Sequence, residues 1–213
     1  MKLTNDWNRL VYRIWSPFYD RFFDRFFASP GRKRAMEVLN LQPGERVLLV
    51  GVGTGADLPL LPEGVEAGGI DLSPAMLGRA RSRLPLPGRI AMLIQGDALN
   101  LPIRTATFDA IILNLVLSVV PDGSICLQEA LRALKPGGRA VIYDKFLPDS
   151  GKLTLMHQLL NQVTTLIGTD ITRRFGDLAD GIEYHLICDE PSLLHGTYRV
   201  MLISKCKALW ELP

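Results

Sequence analysis

The residues that most constrain this chain are Val47-Leu48-Leu49-Val50-Gly51-Val52-Gly53-Thr54-Gly55, followed by Gly69-Ile70-Asp71. An aliphatic run that stops at a glycine turn reads as a buried strand, and buried strands of this kind belong to parallel sheets covered by helices. The glycines at 51, 53 and 55 have separable reasons: one lets the chain turn sharply, another lets the backbone approach a ligand closely, and a third lets the following helix pack tightly on the sheet. Asp71 ends the next apolar run, twenty residues after Gly51. There a carboxylate can accept hydrogen bonds from both hydroxyls of a ribose. The triplet alone fits any strand-to-helix turn; with Asp71 at this spacing it implies a cofactor that carries a nucleoside.

The rest of the chain repeats the same grammar. A helix is expected over Arg32 to Leu41, then strands at Arg46 to Val50 and Glu66 to Asp71, with an irregular helix interrupted by Pro59 and Pro62 between them. Ser73 is a good N-cap with Pro74 at the first helical position of Ala75 to Leu84. Further strands are expected at Arg89 to Gln95, Phe108 to Asn114 and Arg139 to Lys145, with a helix capped by Asp122 before the last. A helical stretch near Lys152 to Ile167 leads to two β-rich runs, Ile182 to Asp189 and Thr197 to Cys206. Their connection is too short for a helical crossover, so they should be antiparallel neighbours. The 213 residues suit one domain.

The first 34 residues differ in character. They hold eight Lys or Arg against three Asp, within a chain whose formal charge is +2. Trp7, Leu10, Val11, Ile14 and Trp15 form one apolar helical stripe, and Phe18, Tyr19, Phe22, Phe23, Phe26 and Phe27 follow after Ser16-Pro17. Nine of the sixteen aromatic residues lie between Trp7 and Phe27, more apolar bulk than a solvated arm requires. We expect residues 1–30 to be a helical lid, with peripheral membrane contact through residues 5–27 as an additional use of the same surface. No apolar run is long enough to cross a bilayer or form a signal core, so a cytoplasmic protein, at the inner face of the membrane, is expected. Cys126, Cys188 and Cys206 show no paired spacing and His157, His185 and His195 no cluster. Buried, reduced thiols and no metal are expected.

In an open parallel sheet, ligands lie beyond the carboxyl ends of the strands. Those ends carry Gly51 to Gly55, Asp71, Gly96-Asp97-Ala98 and Asn114. The Asp97 carboxylate, beside the Ala98 amide, can read the amino edge of an adenine, with Leu72 and Met76 as apolar faces for the ring.

The ordered set GVGTG, IDLSPAML, QGDALNLP, FDAIILNLVLSVVPD and LRALKPGGRAVIYDKF resembles the class I S-adenosylmethionine-dependent methyltransferases. That resemblance implies a Rossmann-like α/β fold, a seven-stranded, mostly parallel sheet in the order 3-2-1-4-5-7-6 with strand 7 antiparallel and helices on both faces. It also implies S-adenosylmethionine as cofactor. The segments GVGTGADLPLLP, DKFLP and TDITRRF are most similar to bacterial phosphatidylethanolamine N-methyltransferases. Ubiquinone and menaquinone C-methyltransferases are close in pattern and share a Tyr-Asp pair like Tyr19-Asp20. By resemblance, residues 31–146 form the cofactor-binding half and 147–213 the substrate side. One position departs from the family: two residues before Gly51, where an acidic side chain commonly helps to hold the methionine amino group, stands Leu49. Backbone carbonyls near Gly51, water or a lid carboxylate such as Asp20 are then left to hold that end.

Methyl transfer from a sulfonium is an in-line displacement, so the protein's main tasks are alignment and exclusion of water. Tyr19, in the lid, and Asp144, near the end of the fifth strand, are the candidates to position or deprotonate an acceptor amine. The expected acceptor is a hydrophobic or membrane-borne small molecule, with a phospholipid amine first and a quinone-type C- or O-acceptor as the alternative. A nicotinamide oxidoreductase would share the glycine loop but not QGDALNLP followed by LKPGG. A non-catalytic cofactor-binding protein would account for Leu49. Nucleic acid is not expected as a substrate, because Asn114-Leu115-Val116-Leu117 lacks the Pro-Pro-aromatic loop of many amino-directed nucleic-acid enzymes.

Overall fold

A computed structural model describes residues 4, 29–84, 90–147, 161, 164–165, 168–193 and 196–206. The apolar runs become strands β1 (Arg46–Val50), β2 (Glu66–Asp71), β3 (Ile90–Gln95), β4 (Phe108–Asn114), β5 (Leu134–Lys145), β6 (Tyr184–Pro191) and β7 (Tyr198–Lys205). They form one sheet in the order β3-β2-β1-β4-β5-β7-β6. β1 to β5 are parallel, and β7 runs antiparallel to both β5 and β6. The expected topology is therefore present. The order reverses between β1 and β4, which opens a crevice at their carboxyl ends.

Side-chain alternation along β1 sorts the core into two layers. Val47 and Leu49 point to the face that also collects Ala110, Ile112, Val141 and Tyr143, covered by helices α1 (Ser29–Leu39) and α2 (Pro74–Arg81) through Ala35, Leu39, Leu77 and Ala80. Leu48 and Val50 point to the other face, with Ile111, Leu113, Ala140 and Ile142, covered by α3 (Gly123–Ala133) through Cys126, Leu127 and Ala130. Each such side chain, buried fully, contributes about 1.5–3 kcal/mol.

Local chemistry fixes the helix ends. The Ser73 hydroxyl accepts from the Met76 amide, and Pro74 opens α2. Asp122 accepts from the amides of Ser124 and Ile125 at the start of α3. α1 stops at Asn40, whose φ of 48° is left-handed. There Arg139 of β5 donates to the Leu39 and Asn40 carbonyls and pairs with Glu45 at 2.7 Å. That guanidinium holds the Glu45 carboxyl below the usual carboxylate range.

Three details differ from expectation. β5 begins at Leu134, directly after α3, because Leu134 is fully buried and pairs with Phe108 before the register shifts to Ala110 and Arg139. The Lys135 ammonium anchors this irregular stretch to Asp109 at 2.5 Å. After the glycine loop only a 3-10 turn, Leu58–Leu60, forms. Prolines at 59 and 62 remove the amides that a longer helix needs. Of the thiols, Cys126 alone is buried, and burial pushes it upward; Cys188 and Cys206, free as well, are half-exposed because they lie on the outer strand pair and just beyond it. A short helix α4 (Phe175–Leu178) completes the described elements. No helix among the described residues is long and apolar enough to cross a membrane.

Candidate cofactor cavity at the switch point

The crevice between β1 and β4 opens into a cavity that, with the open solvent at its mouth included, encloses about 900 Å³. Its walls come from five stretches of chain. The floor is the glycine loop. Gly51 has φ of 68° and lies so close to the Val116 side chain that a Cβ would meet it at 2.7 Å. Gly53 presents an open backbone surface to the cavity, and Gly55 instead packs behind it against Ala80 of α2.

Asp71 ties this floor to the next wall. One carboxylate oxygen accepts the Gly53 amide and the other the Ser73 amide, both at 2.8 Å. Burial pushes its pKa up, and the two amides pull it partly back. Leu72, Ser73 and Met76 continue the wall, with Met76 buried. Gly96, Asp97 and Ala98 face the cavity from the end of β3. Asp97 also accepts the Leu99 amide at 2.9 Å, so its carboxylate orders its own loop while lying at the wall. The amide Nδ2 and Oδ1 of Asn114, a cavity residue only 4% exposed, have no hydrogen-bond partner. A buried amide left so costs about 1–3 kcal/mol, which a ligand offering both a donor and an acceptor would recover.

The remaining walls were not anticipated. Leu115, Val116, Val119, Val120 and Pro121, following β4, make an apolar side. Leu115 has a left-handed φ of 57°, held by its amide bonding to the Tyr143 carbonyl at 2.7 Å. Strain of this kind gathers at ligand sites. Across the cavity stands Arg32 of α1, a buried guanidinium that donates to Asp57 at 2.7 Å. Within Arg32-Lys33-Arg34 nothing in the sequence distinguishes the buried residue from its exposed neighbours; only the helix register does.

Asp144 does not reach this cavity. It is fully buried, and its two oxygens accept the amides of Ser118 and Lys145, at 2.9 and 2.8 Å. From the end of β5 it holds the apolar wall from behind through Ser118, with both oxygens already accepting backbone amides. Lys145 donates to Thr169 at 2.8 Å, and burial lowers its pKa. Tyr19, Asp20, His157, His195 and the expected lid lie outside the described residues, and so does most of the helical stretch at 152–167. His185 is exposed on β6. No group of side chains among the described residues could hold a metal ion. Leu49 is buried beneath α1 and α2 and takes no part in the cavity wall.

Comparison with known proteins agrees with this geometry. A methyltransferase-domain family model matches residues 48–142. A phosphatidylethanolamine N-methyltransferase of Cereibacter sphaeroides is 37% identical over 159 residues, 74% of this chain and 77% of that one. A demethylmenaquinone methyltransferase of Thermus thermophilus is 32% identical over 149 residues, 68% of each chain. The fold matches a Bacillus halodurans methyltransferase structure with a TM-score of 0.69 at 16% identity, covering 83% of this chain and 99% of that one. The chain belongs to the class I S-adenosylmethionine-dependent methyltransferases. Its cofactor is S-adenosylmethionine, and the cavity offers groups of the kind a nucleoside-bearing sulfonium needs: the carboxylates of Asp71 and Asp97, the unsatisfied buried amide of Asn114 and an apolar wall.

Proposed function

We propose that this enzyme methylates the amine of a membrane-borne phospholipid. The carrying observation is the 37% identity with a phosphatidylethanolamine N-methyltransferase across about three quarters of both chains. The apolar wall from Leu115 to Pro121 supports a hydrophobic acceptor, and the basic, aromatic sequence of residues 5–27 supports work at an anionic lipid surface. A quinone-type acceptor is the second reading, favoured by the demethylmenaquinone relative.

The cofactor supplies a methyl group already activated on a sulfonium. In this reading Asp71 accepts from the ribose, Asp97 and Ala98 read the adenine edge, and Leu72 and Met76 flank the ring. Asn114 closes the site toward the acceptor, and the valines of the following loop exclude water. An amine must present its free lone pair, so an apolar wall that disfavours the ammonium form helps the reaction without a dedicated base. Tyr19 remains the proposed acceptor-positioning residue.

The test is transfer of labelled methyl to vesicles containing phosphatidylethanolamine, beside vesicles carrying a demethylated quinone. Labelled phospholipid is expected. Labelling of the quinone alone would replace this reading with the second. Removal of residues 1–28 should abolish co-sedimentation with anionic vesicles, and retained sedimentation would sink the membrane role given to that segment.

A further inference from the structure

We propose that the ammonium of Lys145, held by Thr169, is the receptor for the phosphate of the lipid headgroup. The inference rests on the phospholipid reading and deepens it. The segments DKFLP and TDITRRF, to which the cofactor cavity gives no role, meet here: Lys145 Nζ donates to Thr169 Oγ1 at 2.8 Å. The Thr169 hydroxyl in turn donates to that of Ser118 at 3.3 Å, so its one proton is already used. An ammonium has three donors. The other two of Lys145 make no hydrogen bond among the described residues.

The groups around this cation are neutral or already engaged. The Tyr198 ring lies 5.7 Å from Nζ. Asp144 acts on it electrostatically, but both oxygens of that carboxylate accept backbone amides, those of Ser118 and of Lys145 itself. Burial lowers the pKa of Lys145, while the residue keeps accessible surface. A partly desolvated cation with donors to spare is stabilised by an anion. A compact ammonium serves phosphate as a point charge. Its place in the fold suits a headgroup. Lys145 ends β5 opposite Tyr198, whose ring lies 5.7 Å from that of Tyr143. Both tyrosines belong to the apolar cluster that includes Leu115, and Leu115 lines the cofactor cavity. Apolar ground thus connects the cavity wall with the ammonium. In phosphatidylethanolamine two carbons separate the ester oxygen of the phosphate from the amine, so one end of the headgroup can be held while the other meets the methyl donor. Gly31 of α1 stands against the same Tyr143 ring, and the basic, aromatic residues 5–27 precede α1 in the sequence.

Methyl-transfer kinetics on the whole chain test the receptor. Lys145→Gln should raise the KM for phosphatidylethanolamine in vesicles about tenfold or more, the value of a charge-assisted hydrogen bond, and leave kcat within about threefold. Lys145→Arg keeps the charge and should return KM to within about threefold of the unsubstituted protein. Calorimetry with S-adenosylhomocysteine, the demethylated product, should give the same affinity in all three proteins, because Lys145 does not line the cofactor cavity. A parallel loss of that affinity would make Lys145 a support of the fold and overturn the proposal. So would an unchanged KM in Lys145→Gln, which leaves the phospholipid reading standing. If the unsubstituted protein does not methylate phosphatidylethanolamine, that reading and the receptor fall together. Should Lys145→Gln fail to fold, Thr169→Val removes the partner that aims the ammonium: KM must again rise while S-adenosylhomocysteine affinity holds.

Discussion

Burial raises the Asp71 carboxyl above the ordinary carboxylate range, and the Ser73 and Gly53 amides offset part of that rise. The sign has two consequences. For folding, a carboxyl whose native pKa is raised favours the native state most below its unfolded value of about 4, and that contribution is lost as pH rises through the native value. For the cofactor the sign reverses, because two ribose hydroxyls donate best to an ionised carboxylate. Affinity for S-adenosylhomocysteine should therefore fall as pH drops through the raised native value of Asp71, by at most about tenfold per unit once Asp71 is protonated in the free protein. Asp71→Asn should bind more weakly throughout and lose this slope. A calorimetric series with the same slope in both proteins would assign the titration to another group. Asp71 could be recognised from spacing alone, since a strand end after a glycine loop has few uses for an acid. Arg32 could not, because its burial depends on where α1 lies on the sheet.

That placement is set by element packing, and Gly31 is the contact point. A Cβ there would overlap the buried Tyr143 ring of β5. Two effects oppose each other in Gly31→Ala. Helix propensity favours alanine by about 1 kcal/mol, whereas forcing a methyl group against a packed ring costs about 1–3 kcal/mol or more. The overlap is with the ring itself, not with the end of a flexible chain, so the second effect should win. We expect a lowered urea midpoint and weaker S-adenosylhomocysteine binding, because α1 must move off β5 and take Arg32 from Asp57. Unchanged stability would mean that α1 shifts without cost. The strands show which parts of this were legible. β1 and β4 form where the aliphatic runs 47–50 and 110–113 stop at Gly51 and Asn114, β2 ends at Asp71 after Ala67-Gly68-Gly69-Ile70, and Ser73-Pro74 gave the start of α2. The early start of β5 was hidden, since Lys135-Pro136-Gly137-Gly138 is a turn by local chemistry and is held in the sheet by Leu134 and the Lys135–Asp109 pair.

On the scale of the molecule, the cavity joins distant stretches of chain, and its apolar wall is held by one that does not line it. Arg173 donates to the carbonyls of Leu117, Val120 and Pro121. The Asp170 amide donates to the Ser118 carbonyl at 2.7 Å, and the Thr169 hydroxyl to that of Ser118 at 3.3 Å. The segment TDITRRF was visible in the sequence, but its use was not: a guanidinium bound to carbonyls of a remote loop leaves no spacing to read. Its position implies a mechanical coupling. A ligand that orders residues 115–121 must also tighten the bonds those residues make to 169–173, whereas β6 lies at the far edge of the sheet. Hydrogen exchange with and without S-adenosylhomocysteine should show added protection at 115–121 and 169–173 together and none at β6. Arg173→Gln removes charge-assisted bonds worth about 1.5–3 kcal/mol, so it should raise the dissociation constant about tenfold and break the joint protection. Protection of 115–121 alone in the unsubstituted protein would contradict the coupling. Joint loss in Arg173→Gln, with its unfolding midpoint preserved, would place the effect in the cavity wall and not in the fold, because the segment then still packs but no longer holds the loop.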